Sequence, residues 1–177
     1  MAVIYDATLS PSKEELIREF LDSAGLARGD VERLAAYRFD DPAGQVGIEA
    51  HMVSCGERVF HVPLTYRAAP LDGATPVGTM EHSVLGHRWV YAAADDPVAL
   101  DAFTRALRNT QDQADLELHR ADGTVEPMAT TMTLSVVGAA DPESRLHLTY
   151  DVAVPTSGSA TLVAAWADES VVVAALA

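Results

Sequence analysis

Residues Glu57–Tyr91 read ERVFHVPLTYRAAPLDGATPVGTMEHSVLGHRWVY, and how this stretch divides into strands and turns decides the fold. Arg58–Ala68 is rich in β-branched and aromatic residues. Just before it, Val46–Cys55 (VGIEAHMVSC) alternates Val46, Ile48, Ala50 and Met52 against Gly47, Glu49, His51 and Val53. A period of two is the mark of a half-buried strand. Gly56-Glu57 between the two runs is a tight turn, so the pair is expected to form an antiparallel hairpin. Pro63 has no N–H to give to a ladder, which predicts an edge position or a bulge for the second strand. Residues 69–78 (APLDGATPVG) read as a loop, after which a strand resumes at His82 or Val84 and runs to Ala92, broken by Gly86.

Working outward, Ala2–Leu9 is a short β-rich run that stops at Ser10-Pro11. Ser12 and Glu15 have capping-box spacing, and Leu16, Ile17, Phe20 and Leu21 make one apolar stripe. The spacing predicts a helix over 11–23, with Gly25 just beyond it as a C-terminal cap. Val31–Phe39 suits either state, and the DDPAG turn after it favours strand. Asp96-Pro97 opens a second helix over 97–108, carried by Val98, Ala99, Ala102, Phe103, Ala106 and Leu107. Asp101 and Arg105 can pair one turn apart on it. Apolar runs at 114–119, 128–137, 145–154, 160–167 and 170–176, separated by turn residues, are expected to form an antiparallel meander. The fold class is therefore α+β: a curved antiparallel sheet with two packed helices, followed by a β-rich C-terminal meander. Residues 1–110 are expected to form one region and 111–177 an extension within the same globular unit.

Composition excludes whole classes of function. The net charge of −14, from 12 basic and 26 acidic residues, repels phosphate backbones and anionic membranes, so neither nucleic acid nor membrane is an expected partner. No apolar run approaches the ~18 residues that span a bilayer. The start of the chain lacks the pattern of a secretory signal, and the single Cys55 suits a reducing compartment. A cytoplasmic location is the expectation. No GxxxxGK[ST], GxGxxG, HExxH, CxxC or GxSxG motif is present. A kinase needs a strand lysine and metal-binding aspartates, whereas the one lysine, Lys13, stands at the start of a helix. No catalytic residue, metal ligand or cofactor is assigned, and the expectation leans against an enzyme.

The residues that stand out are an aromatic and charged group: Tyr66, Arg67, Glu81, His82, His87, Arg88, Trp89 and Tyr91. Alternation puts His87, Trp89 and Tyr91 on one face and Arg88 and Val90 on the other. It likewise separates Tyr66, with Val62 and Leu64, from Arg67, with His61, Pro63 and Thr65. An exposed Trp–Tyr ladder beside Arg and His suits a sugar ring or a partner protein. Trp89 and Tyr91 buried beneath helix 97–108 is the competing and favoured reading.

The same segment carries a resemblance. GQVGIEAHMV (44–53), FHVPLTYRAAPLDG (60–73) and VGTMEHSVLGHRWVYAAADDPV (77–98) resemble the N-terminal cap-like domain of actinobacterial maltokinases. They resemble more closely a group of stand-alone actinobacterial proteins that carry this cap without kinase lobes. The likeness is clearest from Ala2 to about Asn109. Ala92 departs from it, standing where many relatives carry Asp. In the full maltokinases catalysis belongs to the lobes, so the resemblance implies a non-catalytic accessory or binding protein linked to maltose, trehalose or α-glucan metabolism. It also implies a protein partner in glycan metabolism. Some such proteins are labelled glucan-branching, an activity that needs a barrel-scale catalytic domain this chain is too short to supply. The alternative is a small carbohydrate-binding protein or enzyme with its site between residues 66–67 and 81–91.

A last expectation concerns self-association. Residues 160–177 (ATLVAAWADESVVVAALA) are two apolar strands around a polar turn, and such a hairpin cannot be left at an open sheet edge. A homodimer is expected, with this hairpin, anchored by Trp166, or the Pro63 strand near the interface. A central hairpin flanked by 128–137 and 145–154 inside one subunit meets the same constraint.

Overall fold

Every apolar alternation in the middle of the chain is used twice over, because the central hairpin is covered on both faces. The computed structural model describes residues 1–177. Its strands are β1 (Ala2–Tyr5), β2 (Leu9–Ser10), β3 (Val31–Phe39), β4 (Val46–Cys55), β5 (Arg58–Arg67), β6 (Gly78–His82) and β7 (Gly86–Ala92). They continue as β8 (Leu116–His119), β9 (Val125–Met128), β10 (Thr133–Gly138), β11 (Leu146–Leu148), β12 (Ala160–Trp166) and β13 (Glu169–Leu176). The helices are α1 (Lys13–Ser23) and α2 (Pro97–Leu107). The expected α+β class holds, and the main sheet is a curled antiparallel half-barrel of six strands in the order β2-β6-β7-β5-β4-β3. No helix is long and apolar enough to cross a membrane.

Both helices start where their caps are. Ser12 Oγ accepts the Glu15 N–H at 3.2 Å and Glu15 Oε2 accepts the Ser12 N–H at 2.7 Å, a complete capping box. Asp96 Oδ1 accepts the Val98 N–H at 3.0 Å with Pro97 in the first turn of α2. Leu16, Ile17, Phe20 and Leu21 of α1 pack with Val53, Phe60, Val62, Leu64, Met80 and Val90. On the opposite face, Ala99, Ala102, Phe103 and Leu107 of α2 pack with Tyr37, Phe39, Ile48, Ala50 and Met52. The C-terminal sheet joins this second cluster through Ala160, Leu162, Ala164 and Val173. Burying such a side chain contributes ~1.5–3 kcal/mol, so the two clusters rather than local propensity hold the helices in place.

Four expectations are corrected. β4 is not half-buried: all but two of its ten residues are buried, because α1 closes the Val53 face and α2 with the C-terminal sheet closes the Met52 face. β5 is an interior strand despite Pro63. The His61 N–H donates to the Tyr150 carbonyl at 2.7 Å, away from β4, and the nitrogen two residues on points to the same side. β7 pairs with β5 only over Leu64–Arg67, so Pro63 occupies the gap between β7 and Tyr150, where no N–H is called for. The 69–78 loop ends in a strand that was not foreseen, β6, and Gly86 (φ +74°) closes a β6–β7 hairpin rather than kinking a single strand.

The C-terminal strands are antiparallel but not in sequential order: the sheet runs β10-β12-β13-β11, so the β12–β13 hairpin lies at its centre with a covering strand on each side. The apolar hairpin is thus protected within one chain. β1 and β8 form a parallel pair, extended by β9 into a separate three-stranded sheet. Close approach at Gly158 fixes the start of β12, since a Cβ there would collide with the Leu176 carbonyl oxygen.

Phe103 is fully buried, with its ring against Tyr37, Phe39 and His61. Phe103→Ala should lower the free energy of unfolding by ~3–5 kcal/mol in urea titrations. Val137→Ser, at a side chain 59% exposed, should change it by less than ~0.5 kcal/mol.

Candidate functional site

The sheet face under α1 is apolar except at one end, where alternation forces charged residues inward. Glu49 and His51 share the inner face of β4 with Val53, and Arg38 stands opposite Glu49 in the β3–β4 register. Lys13, the first residue of α1, reaches the same point. Its Nζ donates to Glu49 Oε2 at 2.6 Å, and Arg38 Nη2 donates to the same oxygen at 2.9 Å. His51 Nε2 lies 3.2 Å from the Tyr66 hydroxyl and 3.8 Å from Glu49 Oε2, while His51 Nδ1 has no partner. Lys13 Nζ lies 5.9 Å from the centre of the Tyr66 ring.

The electrostatics follow from burial and charge together. Burial acts to protonate Glu49, but Arg38 and Lys13 outweigh it and hold the carboxyl far below the usual range. For Lys13 burial is the larger influence and lowers its pKa, against the pull of Glu49. Burial also pushes His51 down to about 3, with Glu49 opposing and Lys13 and Arg33 adding, so the ring is neutral at physiological pH. Burial and then Glu49 raise the Tyr66 hydroxyl. The result is two cations around one carboxylate, next to a neutral imidazole–phenol pair.

A cleft of about 690 Å³ opens onto this cluster. Val3, Ile4, Tyr5 and Leu9 line it from the N-terminal strands, and Lys13, Arg38, Glu49 and Tyr66 from the cluster. Arg67, Met80, His82, Leu85 and Arg88 line it from β5 and the β6–β7 hairpin. Arg67 is held by a bidentate pair to Asp96, both bonds 2.7 Å, and Asp96 is the fully buried cap of α2. His82 Nδ1 accepts the N–H groups of Val84 and Leu85 at 3.2 and 3.1 Å, fixing the hairpin turn.

The residues singled out in the sequence fall on two sides of the β6–β7 hairpin. Tyr66, His82 and Arg88 share the cleft side with Val90, and Arg67 reaches the cleft from the end of β5. Glu81, His87 and Trp89 lie on the other side. Glu81 Oε1 and His87 Nδ1 are 2.5 Å apart across the hairpin, and His87 meets Trp89 edge-on with ring centres 4.4 Å apart. Trp89 is half-buried there, while Tyr91 is 1% exposed and its hydroxyl accepts the Leu71 N–H at 2.8 Å, pinning the 69–78 loop. Four cluster members were missed from sequence: Lys13, Arg38, Glu49 and His51. The available signal was the only lysine of the chain, set at a helix start. No group of three or more His, Cys, Asp or Glu side chains is placed to hold a metal ion.

Against known proteins, residues 20–96 match the family model of the maltokinase N-terminal cap domain. The matched stretch, less than half of the chain, runs from the end of α1 to the cap of α2 and includes the whole of β3–β7. No curated protein and no solved structure gives a significant match.

Removing Glu49 leaves two cations without their shared partner at a site that is 7% exposed. Glu49→Ala should therefore destabilise the protein by ~3–5 kcal/mol, whereas Lys13→Met, Arg38→Met and Glu49→Leu together should cost far less. Chemical denaturation of the two variants checks this.

The pH dependence has a fixed sign. Burial pushes His61 down to about 4, as it pushes His51 to about 3, so the folded state keeps both rings neutral. The unfolded chain takes up their protons below about 6.5. The stability these two rings confer is full above that value and falls as pH drops from about 6.5 towards 4, by up to ~1.4 kcal/mol per pH unit for each histidine. Unfolding midpoints across this range should show a shallower acid slope for His61→Gln.

Proposed function

We propose that the chain is a non-catalytic cap-type accessory protein that acts beside a maltokinase-like protein in maltose, trehalose or α-glucan metabolism. The observation that carries the reading is the match of residues 20–96 to the maltokinase cap domain, which spans all of β3–β7. The sequence supplies no strand lysine, catalytic loop or metal-binding aspartate of a kinase, so phosphoryl transfer is assigned to the partner. The outer side of the β6–β7 hairpin suits a protein contact. It joins the half-buried Trp89 and the Glu81–His87 pair to Val84, 54% exposed at the hairpin tip. An aromatic anchor beside an exposed apolar side chain, with polar groups around them, is the composition that interfaces favour.

Self-association is the other occupant of that surface. The case for a homodimer through residues 160–177 loses its premise, since β12 and β13 are flanked by β10 and β11 in one chain. A dimer through the β6–β7 hairpin keeps the idea in a form that can be tested. A small-molecule binding role is favoured independently by the cleft at Tyr66, Arg67, His82 and Arg88.

Mixed with the catalytic lobes of a maltokinase-like protein, the chain should shift their mass in light scattering. Trp89→Ala with Val84→Asp should abolish the shift without changing the free energy of unfolding by more than ~1 kcal/mol. A wild-type monomer that forms neither a complex nor a dimer removes the reading. The chain alone should show no maltose-dependent ADP release. Turnover abolished by a point substitution in this chain would contradict the non-catalytic assignment.

A further inference from the structure

We propose that the cleft beside the Lys13–Glu49–Arg38 cluster is a binding site for a small organic oxyanion, a carboxylate or phosphate monoester on a sugar-sized body. The site is distinct from the hairpin surface of the accessory role and does not depend on it. The first observation is charge. In a protein of net charge −14, the cleft is lined by four cationic side chains, Lys13, Arg38, Arg67 and Arg88, against three carboxylates, Asp40, Asp41 and Glu49.

The carboxylates are all committed. Asp41 accepts the N–H groups of Ala43, Gln45 and Val46, Asp40 pairs with the Met1 amine, and Glu49 serves two cations at once. Arg67 is matched by Asp96. Arg88 has no carboxylate partner, and its one hydrogen bond is a long 3.4 Å contact to the His87 carbonyl. The uncompensated charge therefore sits at Arg88 and the Lys13–Arg38 pair. These three act together on His82: after burial, Arg88, Lys13 and Arg38 are among the charges that lower its pKa. A partly desolvated positive excess is unfavourable until an anion enters, and gives that anion charge-assisted hydrogen bonds.

The second observation is the shape and lining of the cavity. A volume of about 690 Å³ lies within the ~300–1,000 Å³ typical of small-molecule sites. It is far larger than a free inorganic ion needs. Val3, Ile4, Leu9, Met80 and Leu85 give it an apolar wall, and Tyr66 adds an aromatic ring beside the charged floor. Such a lining fits an organic body held against the N-terminal strands, with its oxyanion head at Arg88 and the Lys13–Arg38 floor.

Calorimetric titration of the full chain with glucose 6-phosphate, glucuronate, inorganic phosphate and maltose tests the site. Glucose 6-phosphate or glucuronate should bind more tightly than maltose and than inorganic phosphate, and the tighter of the two names the head group. Arg88→Ala should weaken that binding about tenfold or more, while Arg120→Ala, in an exposed pair with Glu126 outside the cleft, should not. Because Arg88 carries no structural ion pair, its loss should leave the fold intact, which circular dichroism checks. Maltose binding as tightly as the anions, an unchanged affinity in Arg88→Ala, or no heat from either anion at about 10 mM would each overturn the proposal. None of these results bears on the light-scattering test of the hairpin surface, so the two readings fail separately.

Discussion

The β4–β5 hairpin is buried on both faces, and most other features of the molecule follow from that constraint. A strand pair with one wet face needs one covering layer; this one needs two. Helix α1 supplies the first, and α2 with the β10–β13 sheet supplies the second. Polar groups that alternation then traps inside must find partners within the protein. His61 does so cleanly, between the Tyr37 hydroxyl at 2.9 Å and the Thr149 carbonyl at 2.8 Å. Each such bond ties β5 to an element distant in sequence. The buried polar groups therefore tie β5 to particular partners in β3 and in the segment around Thr149.

At the Glu49 end the same constraint has a different outcome. Here the cover is incomplete, because α1 begins only at Lys13 and the chain before it crosses as the short β2 and the separate β1. Charges gather where the apolar layer thins, and a cleft remains between the N-terminal strands and the sheet. One carboxylate shared by two cations at a site this little exposed is costly to break, since removing either partner leaves a buried charge uncompensated. The floor of the cleft thereby carries an excess of positive charge. Its rim, formed by His82, Leu85 and Arg88, belongs to a hairpin whose turn is exposed.

The β6–β7 hairpin separates two kinds of surface by a single residue step. Arg88 belongs to the cleft and Trp89 to the outer side, because successive side chains on a strand point to opposite faces. A function carried by Arg88 and one carried by Trp89 can therefore change independently. The Tyr91 hydroxyl and the Asp96 carboxylate hold this region to the rest of the fold through the 69–78 loop and the start of α2. Arg67 links the end of β5 to the α2 cap in the same way.

The sequence alone determined what depends on neighbours along the chain. Ser12-x-x-Glu15 and Asp96-Pro97 set both helix starts, the apolar stripes of α1 and α2 named their buried faces, and alternation divided Arg88 from Trp89. It also determined, through the resemblance of 44–98, the cap-domain match of 20–96. Only the tertiary structure decided what depends on the layers that meet. Glu49 and His51 read as the wet side of a strand because nothing in VGIEAHMVSC tells that Lys13, Arg38 and Tyr66 will close over them. Pro63 read as an edge signal because the gap between β7 and Tyr150 that accepts it is made by residues far along the chain. The order β10-β12-β13-β11 was hidden for the same reason: alternation tells which side of a strand is buried but says nothing about which strand is its neighbour. The lone lysine was visible from the start, but its role was not. A buried charge acquires meaning only from the partner that the fold brings within about 3 Å.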